Sequence, residues 1–395
     1  MANAIPLLHL MMMVLLIPAA IVVVISVPVA AQQPLLEAAV LRSQLSSSSS
    51  DAAAGDVVAR RLQGRTRCSG DLSRLRDAHK INSLPGQPEG VAGFDQYSGY
   101  VTVAKGRYLF YYLVEAPRHQ AAATKPLPLV LWMNGGPGCS SVGYGAFEEI
   151  GPCRVNEDTK TLCINKHAWN NAANVIFVES PVDVGYSCSN TSSDYDNSGD
   201  ESTADDLYAF LVNWLELFPE YKGRPFYIAG ESYAGHYAPQ LAATILLLNK
   251  HYNSTIINLQ GVMVGNPYLD KDMNEKGRLD FYLSHGLISP EFFDNISRIC
   301  FSDGSDIGTC ISAALDAYDA GPIDKYNIYA PVCIDDPNGA GYYPSSRDFH
   351  GYDPCSDKYT VAYLNDPAVQ IYVYLASDMD TMTLYVYRVF QLDPV

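Results

Sequence analysis

The sequence predicts an α/β fold, a mostly parallel sheet opened by an antiparallel hairpin and flanked by helices. Three observations carry it. β-rich runs alternate with helical stretches, an apolar strand runs into a Gly-bounded turn at Ser232, and a second apolar strand runs into a Gly-rich loop at 134–141. In order, Tyr97–Val103 and Tyr108–Val114 are β-rich runs separated by Lys105-Gly106, a hairpin signal. Strands are expected near 128–133 and 174–178, then a helix near 203–217, then a strand at 225–229 with its own helix. Such alternation indicates parallel strands joined by helical crossovers. From about 267 to 350 the chain reads as helical and Cys-containing, and Tyr372–Ala376 reads as a β-rich strand ending in Asp378 and Asp380. No internal repeat is visible.

Phe226-Tyr-Ile-Ala-Gly-Glu-Ser-Tyr-Ala-Gly-His-Tyr237 has the layout of a nucleophile elbow. A serine there projects from the top of a sheet, and the next backbone N–H can donate to a developing oxyanion. Small residues at Gly230, Ala234 and Gly235 let the turn close, with Ala234 standing where the usual pattern has a glycine. The strand Leu129–Met133 leads into Asn134-Gly-Gly-Pro-Gly-Cys-Ser-Ser141, a loop whose bare amides can supply the second oxyanion donor. Loop first and serine about a hundred residues later is the order of an α/β-hydrolase. A serine nucleophile also needs a base and an orienting carboxylate.

Several long strings make the chain resemble the serine carboxypeptidases, and most closely the plant serine carboxypeptidase-like proteins. They are WMNGGPGCSSVGYGAFEEIGP, NVIFVESPVDVGYSCSNTSSDY, FYIAGESYAGHYAPQLA, GVMVGNPYLD, and YNIYAPVC followed by YDPC and YLNDPAVQ, together spanning about Leu84 to Gln370. The resemblance implies an α/β-hydrolase core with an inserted helical cap over the active site. It also implies Ser232 as nucleophile, the Gly136 and Tyr233 amides as oxyanion hole, and Asp380 as the orienting acid, although Ser377 replaces the glycine of the family's Gly-Asp-x-Asp. Recognition of a substrate's C-terminal carboxylate falls by resemblance to Asn134, Gly135 and Glu231, with Glu149 nearby. Two acids in one pocket force one of them to hold a proton, which implies an acidic working range. By resemblance, too, Cys300 pairs with Cys310 and Cys333 with Cys355.

The base is not assigned. All eight histidines precede Asp380, whereas the family places its Gly-x-Gly-His after the acid. His236 falls one helical turn past Ser232 and reads as a packing residue. Gln370 also joins Ile371-Tyr372 directly, where the family has a Trp-x-x-Cys segment and a crossover helix, so Cys139 lacks its family partner. The C-terminal part of the core therefore reads as truncated, and little turnover is expected of this form. Cys68, Cys153, Cys163 and Cys188 have no family counterpart, and Cys153 and Cys163 are close enough in sequence to pair.

Composition sets the remaining bounds. With 395 residues and 48% hydrophobic content, the chain can bury one large core with an inserted subdomain. A net charge of -17, from 43 acids against 26 bases, argues against nucleic acid as a partner. No metal or cofactor is implied. Residues 1–31 contain no Lys or Arg and run apolar from Ile5 to Ala31, ending in Val-Ala-Ala, which reads as a secretory signal; left uncleaved, it would be a membrane anchor. Residues 32–80, with a Ser run at Ser46–Ser50, read as a disordered leader or propeptide, 81–266 as core, 267–350 as the cap and 351–395 as the truncated end of the core. Nine cysteines and sequons at Asn190, Asn253 and Asn295 agree with an oxidising, glycosylating compartment, vacuolar or extracellular. The expected partners are peptide or protein C-termini, with a homodimer left open. The expected function is release of C-terminal residues by a serine carboxypeptidase. The alternatives are a serine carboxypeptidase-like acyltransferase, which Glu231 before the nucleophile disfavours, and an inactive truncated homologue.

Overall fold

The computed structural model describes residues 13–17, 20–24, 72–88, 93–118, 126–301, 306–318, 320–335, 342–344 and 353–374. They fall in two compact units, one of 1–266 with 356–395 and the other Pro267–Cys355. In the apolar N-terminal stretch, β1 (Met13–Ile17) pairs antiparallel with β2 (Ala20–Val24). Among the described residues no helix is long and apolar enough to cross a membrane.

The first unit is built on an eight-stranded sheet. Its strands are β3 (Lys80–Ile81), β4 (Gln96–Ala104), β5 (Arg107–Val114), β6 (Leu129–Met133), β9 (Asn174–Val178), β10 (Cys188–Ser189), β11 (Phe226–Glu231) and β12 (Leu259–Gly265). The order is β12-β11-β6-β9-β5-β4-β3, with β10 on β5. β12, β11, β6 and β9 run parallel, and β5, β4 and β3 continue antiparallel. The expected hairpin thus opens a parallel sheet. β5 shows why it forms: Leu109, Tyr111 and Leu113 point to one face and Phe110, Tyr112 and Val114 to the other, all buried. A strand covered on both sides reads as a continuous apolar run.

One face packs α2 (Asp200–Leu217) and α3 (Ala234–His251), through Leu207, Phe210, Leu211 and Trp214 from the first and Leu241, Ile245 and Leu248 from the second. The other carries a π-helical segment, Ser141–Glu149, whose Phe147 stacks on Tyr112. The Ser140 hydroxyl caps this segment by accepting from the Gly143 amide at 2.7 Å. It ends with the Ile150 amide donating five residues back to Gly145.

Three expectations change. Residues 72–80 fold onto the core rather than forming part of a leader: α1 (Leu72–Ala78) packs Leu72 and Leu75 against it, and buried His79 bonds the Tyr111 hydroxyl at 2.8 Å. The run at 372–374 is helical rather than extended, lying in α8 (Pro367–Tyr374), which follows α7 (Ser356–Leu364). Val369 and Val373, four apart, are buried, while Ile371 and Tyr372 are exposed. The Asp366 carboxylate caps that helix, accepting from the Ala368 amide at 2.8 Å, and these tertiary and capping terms override β propensity. Cys153 and Cys163 do not pair. In the β7–β8 hairpin (Cys153–Val155, Leu162–Ile164) Cys153 lies opposite Ile164 and Cys163 opposite Arg154, so one thiol is buried and the other exposed on opposite faces.

The second unit contains α4 (Lys271–Ser284), α5 (Pro290–Cys300), α6 (Ile307–Asp316) and a short hairpin, β13 (Cys333–Asp335) with β14 (Tyr342–Pro344). It ends at Cys355 rather than 350. Disulfides join Cys300 to Cys310 and Cys333 to Cys355. Leu279, Tyr282, Ile288, Ile296, Ile311 and Leu315 form its small core.

Candidate active site

Ser232 stands between the end of β11 and the start of α3 with φ of 55°, a left-handed conformation that a non-glycine residue adopts only where its surroundings impose it. The Ser232 amide donates to the Gly265 carbonyl at 3.0 Å, and its own carbonyl accepts from Gly235 at 2.9 Å, pinning both sides of the turn. Gly230 is required by closeness: a Cβ there would come within 2.4 Å of the Met133 carbonyl oxygen and 2.6 Å of the Ala234 Cβ. The small residue the turn needs is therefore at 230, and a methyl at Ala234 is tolerated.

The Gly-rich loop meets this turn directly. A Cβ on Gly135 would stand 2.2 Å from the Tyr233 amide nitrogen and 2.8 Å from the Ser232 Cβ. Gly136 follows with φ of 103°, open to glycine but not to a side-chain-bearing residue. The two segments expected to supply oxyanion donors thus abut at Ser232.

Beside them lies an acid cluster. The Asn134 side chain is fixed in orientation because its Oδ1 accepts from the Trp132 indole N–H at 2.7 Å. Its Nδ2 consequently donates to both Glu149 oxygens and to Glu231 Oε1, each at 3.1 Å. The Gly135 amide donates to the same Glu231 oxygen at 3.2 Å. Gly145 allows the π-helical segment this close, since a Cβ there would lie 2.5 Å from the Trp132 indole nitrogen. Desolvation, then the Glu231 charge, push the Glu149 carboxyl up to about 8; desolvation raises Glu231 as well. The pair holds a proton in mild acid.

A third carboxylate, given no role by the sequence, lies behind the loop. Glu179, fully buried, accepts from the Ser140 hydroxyl at 2.7 Å and the Ser141 amide at 3.0 Å, and burial pushes it up to about 7. Ser141 Oγ in turn accepts from the Asn134 amide at 3.0 Å, so Glu179 anchors the far end of the loop. Its signal was a lone acid in an apolar strand end, which carries meaning only once the strand is known to be buried.

Of the other expected residues, Asp380 lies outside the described residues. His236 sits in the first turn of α3, half-buried, its ring 4.8 Å from that of Tyr233 and its Nδ1 3.9 Å from Asp200 Oδ2. The Tyr233 hydroxyl donates to Asp200 Oδ1 at 3.2 Å. Asn190, Asn253 and Asn295 are exposed, the first beside β10, the second in the turn after α3 and the third within α5. No cluster of metal-binding side chains occurs among the described residues.

Comparison with known proteins places this arrangement. The serine carboxypeptidase family model matches residues 85–383. The chain belongs to the serine carboxypeptidase family. Serine carboxypeptidase-like 28 of Arabidopsis thaliana is 49% identical over 308 residues, covering 76% of this chain and 65% of that protein. Serine carboxypeptidase 24 of the same plant is 44% identical over 320 residues, covering 76% and 67%. The chain thus spans about two thirds of the length of these curated relatives. Among solved structures, KEX1(delta)p, a prohormone-processing carboxypeptidase from Saccharomyces cerevisiae, superposes with a TM-score of 0.57 at 23% identity, covering 77% of this chain and 69% of that one. That likeness establishes the α/β-hydrolase fold.

Proposed function

We propose that the chain is a serine-type carboxypeptidase of the secretory pathway that releases the C-terminal residue of peptides through Ser232. The observation that carries this reading is the Asn134–Glu149–Glu231 cluster against the Ser232 turn. Asn134 Nδ2 and the Gly135 amide converge on one point, now occupied by Glu231 Oε1, and a proton held by the acid pair adds a third donor for a terminal carboxylate. A peptide held there by its C-terminus would place its last carbonyl at Ser232. Ser232 Oγ then attacks the carbonyl carbon as its proton passes to a base, and the oxyanion is met by the Gly136 and Tyr233 amides. Collapse expels the amine of the terminal residue, and water hydrolyses the acyl-enzyme. Asp380 has the role of orienting the base; no histidine is assigned as that base. The disulfides and exposed sequons support passage through an oxidising, glycosylating compartment.

The reading is tested by binding and by turnover. An N-blocked dipeptide should bind at pH 5 about tenfold or more tighter than its C-terminal amide, on the scale of one to two charge-assisted hydrogen bonds, and Asn134→Ala should erase the difference. Binding should weaken as pH rises through about 8, where the Glu149–Glu231 pair loses its proton and two anions face the ligand's carboxylate. Any release of the terminal residue should vanish in Ser232→Ala. Equal binding of acid and amide would remove the carboxylate site, and release that survives Ser232→Ala would remove the nucleophile.

A further inference from the structure

Glu179 directly follows β9, near the middle of the sheet, and each of its polar groups is engaged. Its amide donates to the Phe110 carbonyl at 2.9 Å and its carbonyl accepts from the Ser187 hydroxyl at 2.6 Å, while Ser187 Oγ accepts from the Phe110 amide at 2.8 Å. The main chain at 179 is therefore tied to β5 on both sides. Its side chain is confined as well: a Cβ on Gly185, whose φ is 50°, would lie 2.2 Å from Glu179 Oε1 and 2.5 Å from its Cδ. From this base Oε1 meets the Ser140 hydroxyl and Oε2 the Ser141 amide. Ser141 opens the π-helical segment, whose leading amides have no partner within it and whose dipole favours an acid there. β6 and β9 pair as far as Trp132 opposite Phe177, so Asn134 and Glu179 each stand two residues past the end of the pairing. Ser141 bridges the opening between them, since its Oγ accepts from the Asn134 amide at 3.0 Å. A chain of contacts thus runs from β5 through Glu179 and Ser141 to the Asn134 main chain, beside the two donors that converge on one point, Asn134 Nδ2 and the Gly135 amide.

We propose that Glu179 is a positioning residue for the substrate-carboxylate site: the length of its side chain sets Ser141, and through Ser141 the Asn134 main chain, so that Asn134 Nδ2 and the Gly135 amide converge on the ligand. The anchoring of the loop stands on the contacts of Glu179 itself; only its consequence for substrate rests on the reading of Asn134, Glu149 and Glu231 as the carboxylate site. Reach rather than charge is what the geometry asks of this position. A glutamine keeps the reach, because its Oε1 can accept from the Ser141 amide while its Nε2 donates to Ser140 Oγ. An aspartate keeps the acid but is one methylene shorter, and with its main chain tied to β5 it cannot span to both contacts. An alanine leaves the Ser140 hydroxyl and the Ser141 amide, both in buried residues, without their acceptor.

The full chain carries the test in Glu179→Gln, Glu179→Asp, Glu179→Ala, Ser141→Ala and Gly185→Ala. Leu211→Ala, a core truncation in α2 on the opposite face of the sheet, controls for lowered stability. The first readout is binding of the N-blocked dipeptide and of its C-terminal amide at pH 5. Glu179→Asp, Glu179→Ala and Ser141→Ala should each weaken the acid about tenfold and leave the amide nearly unchanged, and Glu179→Ala with Ser141→Ala should do no more than either alone, because both cut one route. Gly185→Ala should weaken the acid in the same sense by crowding the carboxyl, whereas Glu179→Gln should stay within about threefold of the wild type. Leu211→Ala should lower the Tm and keep the preference for the acid. The second readout is hydrogen exchange of peptides covering 133–143, which should quicken about tenfold in Glu179→Ala and Glu179→Asp but not in Glu179→Gln or Leu211→Ala. Binding kept in Glu179→Asp and lost in Glu179→Gln would overturn reach in favour of charge. Wild-type preference in Ser141→Ala would overturn the route, and decides the matter even if Glu179→Ala does not fold; loss of preference in Leu211→Ala would show that it follows stability alone and overturn the positioning role. Equal binding of acid and amide by the wild type would remove the carboxylate-site reading and the positioning role with it, while exchange in the loop would still decide the anchoring.

Discussion

Glycine at 135 is the residue on which the site closes, because its missing Cβ lets the Gly-rich loop touch the Ser232 turn. A methyl there would sit 2.2 Å from the Tyr233 nitrogen, a backbone atom that cannot rotate away. Gly135→Ala should therefore cost about 1–3 kcal/mol or more of stability and remove dipeptide binding, since the Gly135 amide would be displaced from the cluster. A lowered Tm with lost binding is the expected pair of results; wild-type binding would mean the loop and turn are not in this register. The Ser232 turn and the Gly135-Gly136 loop were legible where two strands end, because turn chemistry restricts the residue type there, whereas a carboxylate-binding role for Asn134 and Glu231 came only through the resemblance. The anchoring by Glu179 was not legible. Its partners Ser140 and Ser141 are 39 and 38 positions away, and no local pattern connects a strand-end acid with a loop so distant. Glu149 was legible only through the resemblance, since in isolation two adjacent acids read as a solvated face.

Parallel strands announced themselves as apolar runs bounded by turns, and β6, β9 and β11 fall where those runs are. The same rule failed at 372–374, where a β-rich run is helical. There the decisive terms are Asp366, which caps the helix at Ala368, and burial at Val369 and Val373 with a spacing of four. Asp366→Ala should cost about 1 kcal/mol, as loss of a capping carboxylate does, and Asp366→Asn or Ser should restore most of it. A Tm unchanged in Asp366→Ala would show that α8 is held by packing alone. α8 also reaches the far edge of the sheet, where the Ser98 hydroxyl donates to the Val373 carbonyl at 3.0 Å, a contact between elements that no single-strand reading contains.

On the scale of the molecule, the two units draw stability from different sources. The unit carrying Ser232 has a sheet apolar on both faces and a core that includes Trp214, Tyr111, Phe110, Phe177 and Phe210, all fully buried. Among its described residues, the unit Pro267–Cys355 has a cluster of seven buried residues, one of them the disulfide-bonded Cys300. Its bridges span 10 and 22 positions, and closing loops of that size withdraws roughly 3 kcal/mol of entropy each from the unfolded chain. Reduction should therefore loosen this unit first. Hydrogen exchange followed by mass spectrometry, with and without a reductant, should show amides of α4, α5 and α6 exchanging about tenfold or more faster once the bridges open. Amides of β6 and β11, at the centre of the sheet, should keep their protection. Equal acceleration in both regions would mean that the chain opens as one cooperative body and that the bridges stabilise the sheet as much as the helices they join.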